Sequence, residues 1–278
     1  MTKRNDIQGP LAPLDTDSIA PEVHGTEKRT TAALRLLGRL GLVFARTFRL
    51  FFTAHCDKRE SWRMAHRFTN GSLAFIVVSM AFVGMIMVYQ STEQLARAVG
   101  DTTLVGASFL KLLVRVLGPT VIGMLLACRV GAGIAAEIGA MAVTDQLDAM
   151  RMSAADPIET LMVPRLRGGL IASLALVIIG SFSAVLAGLA TSRLMYGMAP
   201  GTYFNFSMIQ PFDVVQGIAK SFSYGVAVPI ISGAFGLFAR GGARGVGEAT
   251  TAAVVGSSFA IVLLDSLISM AAHILEGL

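Results

Sequence analysis

The sequence predicts an all-α integral membrane protein: an N-terminal interfacial amphipathic helix, about five transmembrane helices, and a short cytoplasmic helix between the second and third spans. Three observations carry this. Only 15% of the 278 residues are charged and 54% are hydrophobic, whereas soluble domains average about one quarter charged. Five long stretches are nearly free of charge and exceed the roughly 20 residues that cross a bilayer. Twelve of the 23 lysines and arginines precede Gly71, beside the first apolar run. That position favours lipid headgroups over nucleic acid as the reason for the net charge of +5.

Residues 1–30 carry Gly9, Pro10, Pro13, Pro21, Gly25 and mixed charges without periodicity, the composition of a disordered tail. No apolar signal-peptide core is visible there. Over about 33–55, Arg35, Arg39, Arg46 and Arg49 share one side of a helix, and Leu36, Leu37, Leu40, Phe44, Phe48 and Phe51 take the other. This pattern suits a helix lying in the membrane interface. A surface helix of a soluble domain is the alternative, and the apolar segment that follows argues against it.

The first span covers about 69–92, with Trp62 and Tyr89 near its ends as belt aromatics. The second, about 104–128, holds Lys111 and Arg115 and is interrupted at Gly118-Pro119. The third, about 168–192, has no charge. The fourth, about 214–239, holds only Lys220, and the fifth, about 249–275, holds Asp265 and His273. Small residues at Gly180, Ala184 and Gly188, and at Ala252, Gly256 and Ala260, form ridges that let helix backbones approach. Besides the twelve early basic residues, four lie in 129–170 and two in 239–247. The positive-inside rule then puts the N-terminus and the 129–170 connection in the cytoplasm and the C-terminus outside.

Catalytic motifs are missing from the sequence, and no catalytic residue is assigned. Residues 242–247 (GARGVG) have phosphate-loop glycines, but Glu248-Ala249 stands where Lys and Ser/Thr are needed. Gly131 and Gly133 lack the third glycine and strand of a dinucleotide site. Neither G-x-S-x-G nor HExxH occurs. Cys56 and Cys128, and His24, His55, His66 and His273, fit no metal spacing, so no metal is expected.

One polar stretch breaks the apolar chain: EIGAMAVTDQLDAMRMSAADPIET at 137–160. Thr144 suits the N-cap of a short helix with Asp145 in its first turn. Leu147, Met150 and Met152 give that helix an apolar edge, while Asp145, Gln146, Asp148 and Arg151 stay polar. A second start follows, with Asp156 capping, Pro157 at the first helical position and Glu159 completing a capping-box pattern. A short helix offering methionines suits docking into a groove. A merely solvated connection fits the same residues.

The run EIGAMAVTDQLDAMRMSAADPIETLMVPR, with Leu117-Gly118-Pro119, Asp156-Pro157, Pro164-Arg165 and GGARGVGEAT at 241–250, resembles the MlaE/YrbE permease family. These are membrane subunits of ABC transporters that move lipids between membranes alongside MCE-domain proteins. The resemblance spans roughly 35–275 and implies that 31–278 is one permease domain in the inner membrane. It implies a homodimer enclosing a lipid-sized apolar cavity, with the helix at 144–152 gripped by a separate ATPase that holds ATP and Mg; this chain itself would bind no cofactor. Glu137, Thr144, Asp145, Gln146, Leu147, Asp148, Met150 and Arg151 become the ATPase-coupling residues. Glu137 could instead anchor the end of the second span. A small STAS-like cytoplasmic subunit is a further implied partner.

Relatives often carry Glu just before Leu-Gly-Pro, where this chain has Val116, so no role for that carboxylate transfers. Lys220 and Asp265 match the family pattern, as contacts to lipid or as buried packing contacts. Gln90 and Glu93 would meet headgroups or an MCE partner. Two other functions compete. An intramembrane lipid-modifying enzyme needs clustered reactive groups, yet Asp265 and His273 lie about two helical turns apart. An ion-coupled secondary transporter lacks support from any second internal repeat.

Overall fold

The computed structural model describes Gly38 and residues 41–51, 58–98 and 105–276. The expected tail, and Arg35, Leu36, Leu37, Arg39 and Leu40 of the interfacial helix, lie outside the described residues. Five helices are long and apolar enough to cross a membrane, and no strand occurs among the described residues. We number the helices α1 (residues 41–51), α2 (Lys58–Ala98), α3 (Val105–Val143), α4 (Gln146–Met152), α5 (Ile158–Tyr196), α6 (Pro200–Tyr203), α7 (Pro211–Leu237) and α8 (Gly242–Glu276). The end of the bundle that carries α4, which the basic-residue count assigns to the cytoplasm, is called the inner end.

The spans run longer than their charge-free centres. Helix α2 has 41 residues, about 60 Å at 1.5 Å per residue, twice the hydrocarbon thickness. Charges end an apolar run without ending a helix, because ion pairs satisfy them beyond the membrane. Helix α3 likewise continues through Gly118-Pro119, where an interruption is expected from the sequence. Pro119 has no N–H, and its ring crowds the carbonyl four residues back. The preceding turn, Leu113–Leu117, widens so that the Gly118 N–H bonds the Leu113 carbonyl, five residues back, and this accommodates the proline. A second wide turn follows at Ala127–Gly131.

Helices α2 and α5 pack along their lengths through small residues. A Cβ on Gly84 would collide with the Ala184 carbonyl oxygen, and one on Gly168 would meet Met64 and Ala65. The Ser183 hydroxyl donates to the Val77 carbonyl at 2.7 Å. The predicted Gly180–Ala184–Gly188 ridge is buried there. In α8 the buried ridge is Gly245, Ala249, Ala253, Ser257 and Ile261, one position away from the expected one. Ala252, Gly256 and Ala260 only flank it, Gly256 lying against the Phe235 ring. Helix α7 is the most enclosed, with 61% of its apolar window buried against 17% for α8. Outward, α8 shows Phe259, Leu263, Leu267 and Met270, a face suited to lipid or a partner helix.

Helix α1 departs from the predicted two-sided pattern. Phe44 and Phe48 are exposed, with rings stacked 6.1 Å apart. Arg46, however, turns toward the bundle and donates to Asp156 at 2.7 Å, and Thr47 beside it is fully buried. The arginine side therefore does not face only water and headgroups: Asp156 recruits one of its members.

Candidate functional site

The polar stretch at 137–160 folds as a braced surface helix. Thr144 does not cap α4. Its hydroxyl and its N–H both reach the Ala140 carbonyl, at 2.8 and 3.2 Å, so it closes α3 instead. Asp145 takes a left-handed conformation, φ 58°, which lets the chain reverse between the helices and which Asp tolerates better than most residues. No side chain caps the start of α4. After Met152, Ala154 is again left-handed at φ 58°, and the Ala155 N–H returns to the Met150 carbonyl at 3.0 Å. Asp156 then caps as expected, its Oδ1 accepting from the Ile158 N–H at 3.1 Å while Oδ2 holds Arg46.

Leu147 is the anchor of α4, buried to 5% exposure, and Met150 is half-buried. Leu147 thus faces the fold, and Met150 lies at the edge of the exposed face. The outward face is Gln146, Asp148, Arg151 and Met152, the last 85% exposed. Asp148 and Arg151 pair at 2.8 Å within the helix. Glu137 is committed inside the chain, with Arg67 of α2 at 3.1 Å and Arg165 of α5 at 3.3 Å. Arg165 is buried and also donates to the Leu161 carbonyl at 2.8 Å. Glu137 thus anchors the inner ends of three spans.

Deep in the bundle, Lys220 of α7 and Asp265 of α8 meet at 2.8 Å. Lys220 is fully buried, and this carboxylate is its charge partner. Thr120 of α3 and Tyr224 of α7 each donate to the same Asp265 oxygen at 2.8 Å. Charges inside a span are tolerated when they face partners in the bundle interior, and here three helices converge on one oxygen. His273 does not join this cluster.

A second ionic cluster lies at the outer end, beyond what the sequence predicts. Arg115 reaches Asp213 at 3.1 Å and Glu276 at 2.7 Å, with Lys111 3.9 Å from Asp213. Asp213 is fully buried, and its other oxygen accepts from the Gln210 N–H at 2.9 Å in a capping box that starts α7. The signal available was Arg115 itself, a charge within a span that needs a counter-charge. Nearby, Glu93 binds Arg97 at 3.2 Å and the Tyr196 hydroxyl at 3.3 Å, while Gln90 is exposed. Tyr203 of α6 is buried and donates to the Val185 carbonyl at 3.0 Å; burial pushes its hydroxyl pKa well above the usual tyrosine value. Among the described residues no group of three or more His, Cys, Asp or Glu could hold a metal ion.

Five apolar helices with their intramembrane charges paired inside the bundle define a multi-pass membrane protein. A family model described as Permease MlaE matches residues 62–271, and the chain belongs to that family of ABC transporter permeases. A probable ABC transporter permease of Rickettsia conorii is 36% identical over 200 residues, 71% of this chain and 77% of that protein. One of Synechocystis is 34% identical over 245 residues, covering 87% and 90%. The intermembrane phospholipid transport system permease protein MlaE of Haemophilus influenzae is 31% identical over 205 residues, covering 71% and 77%.

Proposed function

We propose that this chain is the membrane subunit of an ABC transporter that moves phospholipid, or a related lipid, between the inner membrane and a periplasmic MCE-domain partner. ATP and Mg act on a separate ATPase subunit, and this chain supplies no catalytic group. Two copies of the chain enclose the lipid path, and a STAS-like subunit accompanies the ATPase. Support for the lipid comes from the Haemophilus relative, whose name specifies phospholipid transport. The observation that carries the coupling role is α4. It is held by buried Leu147, and Asp148, Arg151 and Met152 face outward with no anchoring duty elsewhere in the fold.

Asp148→Lys combined with Met152→Glu tests this without straining the left-handed Asp145. The variant is expected to insert and melt as the native chain does, yet no longer to bring the ATPase through purification. Unchanged co-purification would remove α4 as the docking element. Lipids recovered with the complex should be enriched over the surrounding membrane; recovery in bulk proportions would count against lipid as cargo.

A further inference from the structure

At the inner end, α1, α2 and α5 leave a cavity of about 350 Å³ lined by Phe51, Lys58, Ser61, Trp62, Arg167 and Ile171, with Leu170 at its floor. The transport reading does not use it. Its chemistry is divided. Lys58 and Arg167 bring positive charge and Ser61 a hydroxyl, while Phe51, Trp62, Leu170 and Ile171 make an apolar wall. Among the described residues that line it, none is acidic. The neighbouring cavity, of about 410 Å³, includes Glu60 beside Arg63 and Arg67, so its charge is partly neutralised from within.

Arg167 is held in place rather than waving in solvent. Its Nη2 donates to the Phe51 carbonyl at 2.9 Å, and the guanidinium lies 5.6 Å from the centre of the Phe51 ring. Depth is set by the sequence: Arg167 is the last charge before the uncharged stretch 168–192 of α5. Ile171, one turn further in, is 39% exposed and Trp62 is 65% exposed, so the wall opens toward the side of the bundle that lipid covers. Tryptophan at headgroup level and basic pockets between helices on the cytoplasmic side are the two features that retain anionic lipid.

We propose that this cavity binds the phosphodiester headgroup of an anionic phospholipid of the inner leaflet, with Lys58 and Arg167 on the phosphate and the acyl chains running outward past Ile171. Occupancy of this cavity does not depend on which lipid the permease carries. Its bound lipid fastens α1 to α2 and α5, because each of those helices contributes to the wall.

Trp62 is the only tryptophan in the chain, so its fluorescence reports this cavity alone. The test uses the full chain in phosphatidylcholine nanodiscs carrying a fixed minor fraction of acyl-brominated lipid, either phosphatidylglycerol or phosphatidylcholine. Brominated phosphatidylglycerol is expected to quench Trp62 several-fold more than brominated phosphatidylcholine. Each cation near the surface contributes roughly fivefold in local lipid enrichment, so Lys58→Gln and Arg167→Gln should each cut the preference by about that factor. Arg167→Lys should keep part of it. Arg59→Gln removes the same charge from the same helix end without lining the cavity, and should leave the preference intact.

Equal quenching by the two lipids would overturn the proposal. An equal loss in Arg59→Gln and Lys58→Gln would also overturn it, since a diffuse surface potential would then explain the preference. Inorganic phosphate in solution should not displace the lipid; if it abolishes the preference, the site takes free phosphate and the assignment to lipid fails. None of these outcomes bears on the ATPase-docking reading of α4.

Discussion

The buried pair Lys220–Asp265 makes a thermodynamic prediction that separates single from double variants. Removing one partner of a buried ion pair strands the other charge and costs about 3–5 kcal/mol, whereas replacing both by apolar residues of similar volume is often close to neutral. The two singles should differ. In Lys220→Met, the Asp265 carboxylate keeps the Thr120 and Tyr224 hydroxyls as donors, and its side chain is 21% exposed, so the loss should fall near 3 kcal/mol. In Asp265→Leu, a fully buried ammonium loses its counter-charge, and two hydroxyls lose their acceptor at about 1 kcal/mol or more each. That loss should be about 5 kcal/mol or more. The double variant Lys220→Met/Asp265→Leu should recover at least about 2 kcal/mol relative to the sum of the singles. Reversible unfolding in mixed micelles with rising dodecyl sulfate, followed by circular dichroism, measures all four states. Singles within about 1 kcal/mol of the native chain, or a double variant that loses the full sum, would refute the view that the pair is held by mutual need.

Three further outcomes follow from the packing. Gly84→Ala should cost about 1–3 kcal/mol in the same unfolding assay, because its Cβ would collide with the Ala184 backbone oxygen; Gly71→Ala, with nothing within 4 Å, should stabilise α2 by about 0.5–1 kcal/mol. Double-mutant cycles should give a coupling below about 1 kcal/mol for Glu137–Arg67, where the arginine side chain is 63% exposed. The Glu137–Arg165 coupling should be about 3 kcal/mol, because that arginine is 4% exposed. Leu147→Ala should cost about 2–5 kcal/mol locally, read as faster amide exchange over 144–155 with the protection of the five spans unchanged.

The five spans were legible because an uncharged run long enough to cross a bilayer has few alternative fates. Their ends were not. Arg67 and Glu137 mark where charge resumes, and the helices continue past both because the two residues pair with each other. Thr144 is expected from the sequence to start α4 and instead ends α3, because local sequence does not say which of two adjoining helices a threonine serves; its hydroxyl reaches back to Ala140. The ridge of α8 was placed one residue off because Ala249, Ala252, Ala253 and Gly256 are all small, and only the neighbouring helix decides between the rows. That Lys220 and Asp265 needed partners could be argued from the cost of intramembrane charge. The outer cluster joins Arg115 to residues 98 and 161 positions away, and periodicity within one helix carries no information about such a contact.

The wide turns of α3 explain why even its own faces were hard to read. Each adds one residue relative to a straight α-helix, which rotates everything beyond it by about 100°. A helical wheel drawn through 105–143 therefore fails after Leu113 and again after Ala127. The same rotation decides which clusters α3 faces. Arg115 sits inside the first wide turn and Thr120 just after it, and they face the two ionic clusters that tie α3 to α7 and α8. At the inner end, Glu137 ties α3 to α2 and α5, while Asp156 ties the segment after α4 to α1. Four helices thus converge on the two flanks of α4. The segment of α3 between that junction and the ionic clusters contains the second wide turn, where the regular i to i−4 ladder is broken. The inner junction, the two irregular turns and the contacts of Arg115 with Asp213 and of Thr120 with Asp265 therefore lie in series along α3.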